Sequence, residues 1–123
     1  MATLNTTLTL SSSDISADET LSISLTDALS VLGPSVSFQV VTSSTGTVFA
    51  AAANYTTSYV LLYNTSTTGG ERIVIEKADG GDEYMKLEPS EFAFFPWAAE
   101  VDLAADALSG TPTLEVRIFQ AAT

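Results

Sequence analysis

The chain has 123 residues, with 15 acidic side chains against 4 basic ones, a formal charge of −11, and neither cysteine nor histidine. That length suits one domain able to bury a core without staples. The missing residue types exclude disulfides, thiolate zinc sites, cysteine nucleophiles and the usual general base near neutral pH. The four bases, Arg72, Lys77, Lys86 and Arg117, are too few and too scattered to track phosphates, so neither nucleic acid nor an anionic membrane surface is expected as a partner.

Only 15% of residues are charged, so Ser, Thr, Asn and Ala must cover much of the surface. No basic region followed by an apolar core opens the chain, and Met1 leads to the expectation of an intact product made and folded in a cytoplasm. The longest apolar runs, residues 48–53 and 59–63, are far short of a membrane span. Three Asn-x-Ser/Thr sequons, at Asn5, Asn54 and Asn64, read as chance in a Thr-rich chain.

Alternation of apolar and polar residues with period two runs through the sequence and predicts strands. Thr6, Leu8 and Leu10 share one face of a first strand, and Leu21, Ile23 and Leu25 share one face of a second. The polar residues 11–19 between them form a loop. Residues 27–32 fit either a helical turn or a strand stopped by Gly33-Pro34. Val36, Phe38 and Val40 mark a third strand, and Thr45-Gly46 a tight turn into residues 48–53, so this pair is expected to be a hairpin. Near Tyr55 the composition shifts from Ser/Thr/Ala-rich to aromatic and charged.

Residues 59–64 form a nearly continuous apolar run, as a central strand does, and residues 65–70 a flexible turn. Ile73 and Ile75 mark the next strand, Asp79-Gly80-Gly81-Asp82 a turn, and residues 84–87 a strand that Pro89-Ser90 breaks. Phe92-Ala93-Phe94-Phe95-Pro96-Trp97 is an aromatic strand. Residues 101–108 read as a short helix or a loop over the domain edge, and Leu114, Val116 and Ile118 as a closing strand. Eight or nine short strands in this length predict an all-β, single-domain β-sandwich of jelly-roll type spanning residues 1–123.

Little in the chain is arranged for catalysis. Serine is abundant, but it has no histidine to activate it, and no Ser-x-x-Lys occurs. Glu83, Glu88 and Glu91 lie near the aromatic strand and could form a glycosidase pair, yet acidic residues flank solvated turns for simpler reasons. The turn from Asp79 to Glu83 offers carboxylates around two glycines, which could hold calcium, though a hairpin turn explains them equally well. The expectation is therefore a non-enzyme without a cofactor.

The aromatic strand is the most telling segment. Phe92 and Phe94 point to one side, Phe95 and Trp97 to the other. One set can fill the core. The other must be covered, either by residues 101–108 or by another subunit, because large aromatic patches are uncommon on monomers. Phe95 and Trp97, with Tyr59 and Tyr63, are the interface candidates.

Tyr59-Val60-Leu61-Leu62-Tyr63-Asn64, Ile73-Val74-Ile75-Glu76, Lys86-Leu87-Glu88-Pro89-Ser90-Glu91-Phe92-Ala93-Phe94-Phe95-Pro96 and Leu114-Glu115-Val116-Arg117-Ile118-Phe119 together resemble small virion structural proteins of tailed bacteriophages, particularly of marine and cyanobacterial hosts. Such proteins carry an apolar strand ending in Asn, a Leu-x-x-Gly-Glu-aromatic turn and a final Leu-Glu-Tyr-aromatic strand. The resemblance covers about the last half of the chain. It departs at Ser90, where the family usually has glycine; Pro89-Ser90 fits a type I turn rather than type II. The resemblance implies a virion protein. Small size and the lack of catalytic residues narrow the expectation to a capsid decoration (cement) protein on the outside of the shell. Its partners would be itself, as a trimer, and the major capsid protein or other virion proteins. A tail, neck or fibre-base component is the alternative, and a carbohydrate-binding or adhesive sandwich with Trp97 as sugar platform is an alternative of another class. The first 70 residues hold only Asp14, Asp18, Glu19 and Asp27 as charges, so the contact face is expected in the N-terminal half.

Overall fold

A computed structural model describes residues 2–33, 35–41, 46–78 and 82–122. Among them are ten strands: β1 (Ala2–Ser12), β2 (Leu21–Val31), β3 (Val36–Val41), β4 (Thr47–Ala50), β5 (Ser58–Asn64), β6 (Ile73–Lys77), β7 (Glu83–Leu87), β8 (Phe92–Trp97), β9 (Leu103–Ala107) and β10 (Thr113–Gln120). The only helical element among these residues is a 3-10 turn at Ala52–Asn54, so none is long and apolar enough to cross a membrane.

Strands β3 to β10 form two four-stranded antiparallel sheets, in the orders β3-β10-β5-β8 and β4-β9-β6-β7. The pairing has one rule. β6 pairs with β7, β5 with β8, β4 with β9 and β3 with β10. This is a single long hairpin, centred between β6 and β7, rolled up so that successive pairs fall alternately into the two sheets. The β10–β5 and β9–β6 ladders close each sheet. Such a roll is the eight-stranded jelly roll, and the all-β sandwich expected from the alternation is the fold observed.

The same alternation builds the core. In β5, Ser58, Val60, Leu62 and Asn64 are buried while Tyr59, Leu61 and Tyr63 face outward. In β10, Leu114, Val116 and Ile118 point inward between Glu115, Arg117 and Phe119. Opposite them lie Ile73, Ile75, Leu87, Leu103 and Ala105 of the second sheet, with Phe49 and Trp97 filling the ends. Each fully buried Leu, Ile or Val side chain stabilises the fold by about 1.5–3 kcal/mol.

Three local expectations are corrected. Residues 101–108 hold neither helix nor edge loop but β9, an interior strand between β4 and β6. Ala-Ala-Asp-Ala has little strand preference of its own; pairing on both sides and burial of Leu103, Ala105 and Ala107 override it. β3 and β4 are not a hairpin, since β3 pairs with β10 and β4 with β9 in the opposite sheet. Thr45 of the expected turn lies outside the described residues. The Glu88-Pro89-Ser90-Glu91 turn is of type II: the Glu91 N–H donates to the Glu88 carbonyl at 3.0 Å and Ser90 has φ 69°. A serine thus takes the left-handed position where glycine is favoured.

The polar residue Asn64 fastens the two sheets at one end. It is fully buried at the end of β5. Its Nδ2 donates to the carbonyls of Glu71 (2.9 Å) and Leu87 (3.1 Å), which flank β6 and end β7, and its Oδ1 accepts the Ser66 N–H at 3.0 Å. Its backbone exchanges bonds with the Pro-Ser turn, to the Glu91 carbonyl and from the Ser90 N–H. One side chain therefore bonds three backbone groups, from the approach to β6, the end of β7 and the turn after β5.

Candidate functional site

β1 and β2 stand apart from both sheets. They pair with each other over eleven residues each, from Ala2↔Val31 to Ser12↔Leu21, and join neither four-stranded sheet. The base of this hairpin is tied to the end of β10: Val31 bridges Ala121, the Leu32 N–H donates to Gln120 O, and the Ala122 N–H donates to Ser30 O. Beyond the base the hairpin projects as an arm, and nearly all of it is exposed.

The register sorts the arm into two faces. Directly paired residues share a side, so Leu4 meets Leu29, Leu8 meets Leu25 and Leu10 meets Ile23 on one face. The other face is Thr3, Asn5, Thr7, Thr9 and Ser11 against Ser22, Ser24, Thr26, Ala28 and Ser30. The apolar face is bare: Leu8, Leu10, Ile23 and Leu25 are all exposed, Leu25 by 60%. The sequence shows both alternating runs and the polar stretch between them. It does not show that the pair leaves the sandwich.

The second apolar surface is the outer face of β5 and β8. Phe92 and Phe94 point outward, 65% and 41% exposed, and Phe94 stacks on Tyr59 with ring centroids 6.4 Å apart. Leu61 and Tyr63 are half-buried beside them. An open cleft of about 700 Å³ separates this face from the arm, lined by Thr6, Leu8 and Leu25 on one side and Leu61, Phe92 and Phe94 on the other.

The four interface candidates divide. Tyr59 and Tyr63 are on the outer face, as an interface requires. Trp97 is 6% exposed in the core, 5.7 Å from the ring of Tyr55, and Phe95 is half-buried against the same core. The outward set of the aromatic strand is thus Phe92 and Phe94, the reverse of the expected assignment. Period two puts the two sets on opposite faces. Which face is inner depends on the register of β8 on β5, where Trp97 opposes buried Ser58 and Phe95 opposes buried Val60.

Several charged groups have structural partners. Arg72 Nε donates to both carboxylate oxygens of Glu88 at 2.6 and 2.8 Å, Arg117 pairs with Glu115 at 2.9 Å, and Lys86 lies 4.0 Å from Glu83. Glu91 Oε1 accepts the Glu88 N–H across the type II turn at 2.6 Å. No group of three or more metal-ligating side chains occurs among the described residues. Asp79, Gly80 and Gly81 of the calcium-type turn lie outside them, and Asp82 and Glu83 are exposed. The sequon residue Asn64 has its amide turned into the core.

Comparison with protein-family models, with curated proteins and with solved structures gave no match. The class of the chain is therefore that defined by its own geometry: an acidic jelly roll carrying a projecting, one-sidedly apolar hairpin arm.

Proposed function

We propose that this chain is a non-catalytic structural subunit of a tailed-phage virion, a decoration protein that binds the outside of the mature shell as a homo-oligomer. The observation that carries the reading is the bare leucine face of the arm. A two-stranded hairpin is marginal in water by itself, and an apolar strip of this kind belongs against a partner. The body supports the reading by analogy only, since jelly rolls recur in capsid proteins but also in lectins and cupins. The arm is uncharged from residue 2 to residue 13, its carboxylates Asp14, Asp18 and Glu19 cluster at the tip, and Asp27 is the one charge on the leucine face. Copies carrying −11 each can then meet through nearly neutral surface, while most of their acidic residues stay in solvent. Many identical weak contacts on a symmetric shell add up to firm attachment.

The test is electron microscopy of particles made by the encoding genome, labelled with antibody against this chain. Label on the shell exterior at symmetric sites is expected. Label on the tail or neck would select the alternative of a tail, neck or fibre-base component, and absence from the particle would refute a virion role. A sugar-binding platform built on Trp97 is disfavoured by the burial of that indole.

A further inference from the structure

We infer that the cleft between the arm and the β5–β8 face takes an extended segment of a different protein, one that carries a single arginine or lysine between apolar residues. This names the chemistry of the partner for the bare leucine face and rests on the reading of that face as a contact surface.

The cleft holds about 700 Å³, inside the roughly 300–1,000 Å³ of ligand sites. Its walls are apolar, with Leu8 and Leu25 on the arm and Leu61, Phe92 and Phe94 on the body. Main chain also lines both walls. Thr7 and Thr26 belong to the polar face of the arm, and Ala93 packs its side chain against the core, so all three reach the cleft through their backbone. Each strand of the arm has one edge outside its ladder, and β8 is an edge strand of its sheet. Strand edges carry unpaired N–H and C=O groups. Apolar pockets beside such groups are the means by which an extended polypeptide is bound.

Charge selects the segment. Asp27 is the single charged side chain among the described residues that line the cleft, and no base lies among them. Arg117 stands beyond Leu61 on the same sheet face, but Glu115 holds its guanidinium at 2.9 Å. A neutral or acidic segment would cover the Asp27 carboxylate without a partner, which is unfavourable. A basic side chain pairs with it, and the exposed rings of Phe92 and Phe94 offer that cation their electron-rich faces. The segment does not come from a second copy. All four bases of this chain, Arg72, Lys77, Lys86 and Arg117, lie in or beside β6, β7 and β10 of its own sheets. A single ion pair between apolar walls is little screened by salt.

The test uses the purified full chain and the end-capped peptides Leu-Ser-Arg-Ser-Leu, Leu-Ser-Gln-Ser-Leu and Leu-Ser-Glu-Ser-Leu, with binding measured by calorimetry. The arginine peptide should bind about fivefold or more tighter than the glutamine peptide, the worth of one ion pair, and the glutamate peptide should bind weakest. Asp27→Asn should abolish the preference. Asp14→Asn, the same change of net charge at the arm tip, should leave it intact. Phe94→Ala, at an exposed position, should weaken arginine and glutamine peptides alike without lowering the melting temperature of the body. Four results would overturn the inference: equal binding of the arginine and glutamine peptides, equal effects of Asp27→Asn and Asp14→Asn, arginine amide binding as tightly as the peptide, or no binding at millimolar peptide. Because only the purified chain is used, any of these is separate from a failure to find the protein on virions.

Discussion

Asn64 is the position at which a single substitution should cost the fold most for the atoms removed. Asn64→Ala deletes two donors and one acceptor. It takes one bond each from the carbonyls of Leu87 and Glu71 and from the N–H of Ser66. A buried group left without a partner costs about 1–3 kcal/mol. The bond to Leu87 O is buried and no water can replace it, while the other two bonds are partly buried and their groups can regain water in part. The sum is about 3–5 kcal/mol, a large share of the 5–15 kcal/mol that holds a domain of this kind. Asn64→Asp should cost at least as much: it keeps the acceptor for Ser66 but turns a carboxylate toward two carbonyls. The assay is urea unfolding followed by Trp97 fluorescence, with the slope required to match wild type so that midpoint shifts report stability. A loss below about 1 kcal/mol for Asn64→Ala would refute the view that this amide fastens the sheets.

Ser90→Gly removes a left-handed strain of about 1–2 kcal/mol at φ 69°, partly offset by glycine's freedom when unfolded; the melting temperature should rise by about 2–5 °C in a thermal scan, and a fall would show that the 3.4 Å contact from Ser90 Oγ to Ser66 O matters more. Gly110→Ala should destabilise by about 2 kcal/mol or more on urea unfolding, because Gly110 has φ +65° and an added Cβ would press into the Glu71 carboxylate that holds Ser66 Oγ and the Thr111 N–H. Gly69→Ala, with open space around it, should stay within about 0.5 kcal/mol, and equal effects at the two glycines would refute the packing argument. Retention on purified particles should change little across a monovalent salt series if the arm and the N-terminal half make the contact, since screening acts on exposed charges; steep loss at modest salt would show that attachment is ionic.

The sequence by itself determined the fold class and most of the strands. Period two survives without knowledge of partners, because each strand of a sandwich must present one apolar face; the segments around Leu62, Ile75 and Val116 are legible for that reason. It also showed that the aromatic strand has two sides. Tertiary structure alone decided which side is inner, since that follows from the pairing of Phe95 with Val60 and Trp97 with Ser58 across strands 35 or more residues apart. It decided that β9 is a strand, because long-range pairing rather than local preference holds Ala104 to Ala107 extended. It decided that Ser90 takes a positive φ, which the Asn64 main chain holds from the far side of the turn. And it decided that the first two strands form an arm. Their leucines read in the sequence only as one face of two strands, since alternation records that one face is apolar and carries no information about what covers it.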